Sequence, residues 1–192
     1  MHAKPTVKLI VDMDGVFANF VQSVCETHNL PSPYDNGYEG WKMEDSPEFQ
    51  HMSRNQIFKP CKTSEWWENV PKTQEADSIL ETCLGLVDVE NMVVCTAATW
   101  PMGPCLDGKI AWWKKHYPHT GLHEKVIATP NKHFLASPRS VLLDDADHNV
   151  EPFEAHGGLA VLYPRPWNKR RGLKEFDLLR ELTIKVRLAE LA

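Results

Sequence analysis

Two aspartates one residue apart, Asp12 and Asp14, stand at the end of a short apolar run in "KLIVDMDGVFANF", residues 8–20. Carboxylates that close repel each other unless a cation, a proton or good hydrogen bonds compensate. The pair therefore reads either as a metal site or as a loop with a helix cap, where Asp and Gly are common. Alone it does not decide between them. Three further polar positions follow apolar runs: Thr96 after "MVVC", Lys132 shortly after "KVIATP", and Asp144 with Asp145 after "SVLL". Gathered at one edge, these residues would supply four carboxylates, a hydroxyl and an ammonium. An oxygen-only set of this kind selects a hard cation such as Mg²⁺. Lys132 and Thr96 would then bind a phosphate beside it.

The elements that must position them follow from the hydrophobic pattern. Leu9-Ile10-Val11 reads as a buried strand, and Phe17, Phe20, Val21 and Val24 recur at helical spacing, stopping near "HNLPSP". A helix over Ala76–Leu84 with Gly85 as its terminator precedes a second strand ending at Thr96. "LDGKIAWWKKHYP" predicts a helix with Trp112 and Trp113 divided between core and surface. Strands at "EKVIA", "RSVLLDD" and "LAVLY" and a helical tail from Leu173 to Ala192 complete the series. Short apolar runs alternating with helices predict an α/β fold: a three-layer, Rossmann-like parallel sheet with helices on both faces. In such sheets the ligand site lies outside the carboxyl ends of the strands, where the polar residues above fall. Residues 31–72 break the pattern with Pro, Tyr, Trp, Met and charge. They read as a small, mainly helical cap inserted after the first strand and helix, with residues 1–30 and 73–192 as the core.

The chain has 192 residues and a net charge of −5, which argues against a nucleic-acid-coating surface. No apolar run is long enough for a transmembrane helix, and no secretory h-region is expected at the start. Five cysteines, odd in number and without a CxxC, fit free thiols in a reducing cytoplasm. His116, His119 and His123 read as surface-loop residues because Pro118 and Gly121 break any shared helical face. The oligomeric state is open between monomer and homodimer.

The motifs "IVDMDGV", "VVCT", "NK" and "VLLDD", in this order, resemble the haloacid dehalogenase (HAD) superfamily of phosphatases. "VDMDGVFANF", "CTA", "GKIAWWKKH" and "LLDDADHNV" resemble the 5'(3')-deoxyribonucleotidase family. The likeness spans about residues 7–24 and 64–165, and leaves out 31–62 and the tail. It implies Mg²⁺-dependent hydrolysis of (deoxy)nucleoside monophosphates through an aspartyl-phosphate. Asp12 matches the nucleophile and Asp14 the acid/base. Asp12 also matches a side-chain metal ligand, Asp14 a backbone-carbonyl ligand, and Asp145, with Asp144 beside it, the acidic ligand. Thr96 and Lys132 match the phosphate holders. Phe20, Trp66 and Trp67 match aromatics that form a base slot, although packing of the cap onto the core explains them equally well. One departure stands out: the family's Thr-Ser-Pro is Thr96-Ala97-Ala98 here, which removes a hydroxyl from the phosphate or sugar side.

The chemistry of these types agrees with such roles. A carboxylate nucleophile splits hydrolysis into two easier steps, and Mg²⁺ offsets its repulsion from the phosphate. A positioned acid spares the leaving alkoxide, an effect of ~10²–10⁴ in rate. Competing readings keep the chemistry but change the substrate to a polynucleotide end or another small ester, or keep the fold as a catalytically idle nucleotide-binding module. Arg165, Lys169, Arg170 and Arg171 form the basic cluster that a polynucleotide end would need.

Overall fold

The computed structural model describes residues 6–98 and 102–192. Its strands are β1 (Lys8–Val11), β2 (Met92–Thr96), β3 (Val126–Ala128), β4 (Ser140–Asp144) and β5 (Leu159–Leu162). They form one parallel sheet in the order β3-β2-β1-β4-β5. From β1 the chain builds outward first on one side and then on the other, so the strand order reverses at β1. The crevice at that reversal opens at the carboxyl ends of β1 and β4.

Alternate residues of β1 enter different cores, as the two-residue period of a strand requires. Leu9 and Val11 join the larger core, with Trp112, Ile79 and Leu182. Ile10 joins the smaller one, with Val150 and Phe153. The larger core is covered by α4 (Ala76–Leu86), α5 (Met102–His116) and α7 (Glu175–Leu191), and the smaller by α6 (Asp147–Ala155). The fold is thus the three-layer α/β arrangement expected.

Local chemistry moves some boundaries. Helix α1 (Phe20–His28) starts only after Asn19, whose side chain accepts the Gln22 N–H, and it ends at Asn29 in the left-handed region. Phe17 therefore lies in the preceding turn, fully buried with its ring 5.0 Å from Trp113. Gly85 does not stop α4, which runs through it and ends where Val87 becomes extended. Trp112 and Trp113 are both fully buried, so neither forms surface. His116 closes α5 and lies 4.6 Å from the Trp112 ring, rather than in a loop.

Between α1 and α4 the chain makes short pieces: 3-10 turns, α2 (Arg54–Ile57) and α3 (Ser64–Glu68). It departs and returns at one point. Asn19 N–H donates to Pro71 O at 2.7 Å, and Thr73 donates to Phe17 O and Val16 O. At Gly108, α5 lies against α3 so closely that an added Cβ would collide with the Ser64 carbonyl and Trp67 Cβ.

Candidate active site

The β1–β4 crevice gathers the carboxylates. Asp12 leaves β1 with its N–H on Leu143 O at 2.8 Å, and Asp144 ends β4. One carboxylate oxygen from each of Asp12, Asp144 and Asp145 lies within 4.8 Å of the others, and all three residues are buried. Among the described residues these three form the one group of potential ligands close enough to share an ion. Lys132, in the 3-10 turn after β3, is 2.6 Å from both Asp12 Oδ1 and Asp144 Oδ2. Asp144 also accepts from Ala146 N–H at 2.9 Å and from Asn149 Nδ2 at 3.1 Å.

The charges do not balance. Burial pushes Asp12 up to about 7, against the pull of Lys132 and with the added repulsion of Asp144 and Asp14. Burial, with Asp12 and Asp144 nearby, holds Asp145 well above the ordinary carboxylate range. Burial would lower Lys132, but Asp12 and Asp144 outweigh it and its pKa is raised. Three buried carboxylates against one ammonium leave excess negative charge, and an oxygen donor set facing such an excess fits Mg²⁺.

Asp14 faces different partners. Its Oδ2 is 2.5 Å from Lys109 Nζ, on α5. Lys109 is wholly buried and also donates to Thr96 Oγ1 at 2.8 Å and Ala97 O at 2.7 Å. Its ammonium lies 4.5 Å from the centre of the Trp67 ring. Asp14 Oδ1 is buried without a hydrogen-bond partner among the described residues. Sequence reasoning missed Lys109. The available signal was one lysine on the helical face that buries Cys105, Gly108, Trp112 and Trp113, because an isolated buried charge needs a partner.

A cavity of about 640 Å³ opens above both groups, walled on the other side by residues 34–67. Asp12, Asp14, Lys132 and Asp145 line it. Ala97 also lines it, whereas Thr96 is fully buried beside Lys109. Phe20 and Trp67 line the cavity together with Phe58. The Phe20 ring lies nearly parallel to Trp67 at 5.5 Å and to Phe58 at 6.2 Å. Trp67 is only 1% exposed and donates its indole N–H to Cys61 O. Trp66 lies outside the lining: it meets Phe20 edge-on and donates to Thr27 Oγ1 at 3.0 Å. A second aromatic group, Tyr34, Trp41 and Trp167, lines the cavity and was not foreseen from sequence.

The chain matches the family model of the 5' nucleotidase, deoxy (pyrimidine), cytosolic type C protein over residues 5–176. A search of curated proteins found no match. Among solved structures, it is similar to a HAD family hydrolase from Deinococcus radiodurans R1 with bound phosphate and sodium. The identity is 14%, the coverage 97% of this chain and 98% of that one, and the TM-score 0.52. It is also similar to the HAD hydrolase YfnB from Bacillus subtilis bound to magnesium, at 12% identity, coverage of 95% and 99%, and TM-score 0.50. These two likenesses concern the fold; the family match spans most of the sequence and the whole of the crevice. The chain belongs to that deoxyribonucleotidase family, and it is a HAD-type phosphatase.

Proposed function

We propose that the enzyme is a Mg²⁺-dependent phosphomonoesterase acting on (deoxy)nucleoside monophosphates. The observation that carries this reading is that Asp12 and Asp14 have separate partners at one cavity. One joins the carboxylate cluster and the other joins Lys109, while both border one cavity. In an in-line displacement the nucleophile and the acid on the leaving group serve opposite sides of the phosphorus, and the separate partners of Asp12 and Asp14 support that division of roles.

Asp12, Asp145 and the backbone carbonyl of Asp14 would hold Mg²⁺, with Asp144 beside them. The cation would supply positive charge against the phosphate and the developing transition state. An Asp12 carboxylate oxygen attacks phosphorus, the bond to the leaving oxygen breaks, and Asp14 gives that oxygen a proton. An aspartyl-phosphate remains on Asp12. Asp14 then takes a proton from water, water oxygen bonds to phosphorus, and the acyl-phosphate P–O bond breaks to release phosphate. Lys132, which lines the cavity, steadies the phosphoryl oxygens. Lys109 holds Asp14 and Thr96 in place.

The cap, residues 31–72, meets the leaving group. A nucleoside fits a cavity of this size, and Phe20, with Trp67 and Trp66 packed behind and beside it, offers an apolar face for the base. Of the other readings, the polynucleotide end is disfavoured by the basic cluster. Arg165 pairs with Glu75, Lys169 with Asp147 and Glu151, Arg170 with Glu181 and Arg171 with Glu39. Five buried, unpaired cysteines support a reducing, cytoplasmic setting.

Assay against a panel of 5'- and 3'-monophosphates with Mg²⁺ tests the reading. Several nucleoside monophosphates should be turned over, and chelation should silence them. Phe20→Ala should cost nucleotides about ten- to hundredfold more in kcat/KM than p-nitrophenyl phosphate. Activity that survives exhaustive chelation, or that ignores the nucleoside, would contradict it.

A further inference from the structure

Asp145 differs from the other two carboxylates in how it is held. Lys132 bonds Asp12 and Asp144, whereas the donor on Asp145 is a neutral indole. Trp167 Nε1 donates to Asp145 Oδ2 at 2.9 Å. The next residue, Asn168, is 2% exposed and donates its amide to the Asp145 backbone carbonyl at 2.9 Å and to Tyr163 O at 2.6 Å. Adjacent residues therefore grip the side chain and the main chain of one aspartate.

The loop that carries this grip is itself fixed. Tyr163 N–H donates to Asp144 O at 2.7 Å, and Asn168 Oδ1 accepts the Arg170 N–H at 2.9 Å. Arg165 bonds Gly15 O and pairs with Glu75. Gly15 has φ +75°, and a Cβ there would strike the Asp145 carboxylate and crowd the Trp167 ring. The indole, the carboxylate and the turn after Asp14 are thus in close contact. Trp167 also packs at 4.8 Å against Tyr34, which belongs to the insertion.

We propose that Trp167 is a positioning residue for Mg²⁺. With Asn168 it locks the Asp145 carboxylate in its ligating orientation, and Tyr34 braces it from the cap. This rests on the metal reading above. A fixed donor on one carboxylate oxygen prevents the group from swinging, and it does so without adding a positive charge that would compete with the cation. A lysine or arginine in its place would neutralise the ligand.

The test is Mg²⁺ binding by calorimetry to the full chain, with Mg²⁺ titrated as the only ligand. Melting curves with and without Mg²⁺ and the Mg²⁺ dependence of turnover accompany it. Trp167→Phe retains a ring for Tyr34 and removes the N–H. Its Mg²⁺ dissociation constant should rise about 10- to 100-fold. The Mg²⁺ concentration for half-maximal turnover should rise in parallel, and kcat at saturating Mg²⁺ should fall far less. The metal-free melting temperature should move little, where a merely structural role would lower it and leave the affinity alone. Tyr34→Leu, which leaves the Asp145 hydrogen bond in place, should weaken Mg²⁺ binding by a smaller factor, and it serves if Trp167→Phe fails to fold. Parental affinity in Trp167→Phe, or in Tyr34→Leu if the other does not fold, overturns the clamp. A parent that takes up no Mg²⁺ overturns the metal reading and the clamp with it.

Discussion

Two lysines, both almost wholly buried, serve two aspartates one residue apart, and their surroundings differ in charge balance. Lys132 shares its crevice with three buried carboxylates. Lys109 meets one carboxylate, one hydroxyl and one carbonyl. The first group has an excess of negative charge that a cation can satisfy. The second is a matched pair, with one Asp14 oxygen left without a partner among the described residues. Under the proposed mechanism similar residue types serve two ends, because the number of acids per lysine sets whether a site carries excess negative charge for a cation or a balanced pair.

Breaking the metal side should produce the largest effect. Asp12→Asn keeps nearly the same shape but removes the nucleophile and weakens a metal ligand. Turnover should fall by ~10³-fold or more with the fold intact by circular dichroism. A loss of less than about tenfold would mean that no covalent step passes through Asp12.

Breaking the other side should cost less and should depend on the substrate. Lys109→Met leaves Asp14 without its cation and Thr96 without its donor. Nucleotide kcat/KM should fall about 10²-fold. p-Nitrophenyl phosphate has a leaving group that departs without a proton, so it should lose less. Equal losses on both substrates would mean that Lys109 serves phosphate binding or packing rather than Asp14.

The smallest effect sharpens the contrast in charge. Folding raises Asp12 from 3.8 to about 7 and moves Asp145 in the same direction. A carboxyl that holds its proton more tightly when folded stabilises the protein fully below its unfolded pKa. That stability is lost as pH rises through the folded pKa. The metal-free protein should therefore lose stability between about pH 4 and 7, and Mg²⁺ should return more of it at pH 8 than at pH 5. Differential scanning calorimetry should read a gain larger by on the order of a few degrees at the higher pH. A gain independent of pH would place the cation elsewhere.

The polar edge of the sheet was legible because strand-ending polar residues follow apolar runs, and parallel topology brings such ends together. The sheet, its helical layers and the grouping of Asp12, Asp144, Asp145 and Lys132 all follow from that rule. The insertion was less legible, for a physical reason. Helices of four and five residues, α2 and α3, show no period from which a facing could be read. Their ends are set by local bonds, such as the Ser53–Gln56 capping box and the Thr63 cap. Neighbouring helical residues point about 100° apart, and nothing in the order of Trp66 and Trp67 says that Trp67 lines the cavity while Trp66 does not. Trp167 had no local signal: it reaches Asp145 from 22 residues along the chain, across β5 and a loop.

The division of labour between the two aspartates is tested most directly by trapping the intermediate. Asp14→Asn should be mixed with p-nitrophenyl phosphate and Mg²⁺, quenched in acid, and mapped by peptide mass spectrometry. This substrate needs no acid to form the aspartyl-phosphate, whereas hydrolysis still needs the base that the variant lacks. An acid-stable, base-labile phosphoryl group should accumulate on Asp12, to a higher level than in the parent. Phosphoryl transfer to another residue, or steady turnover with no phosphorylated protein in either form, would contradict that division of labour.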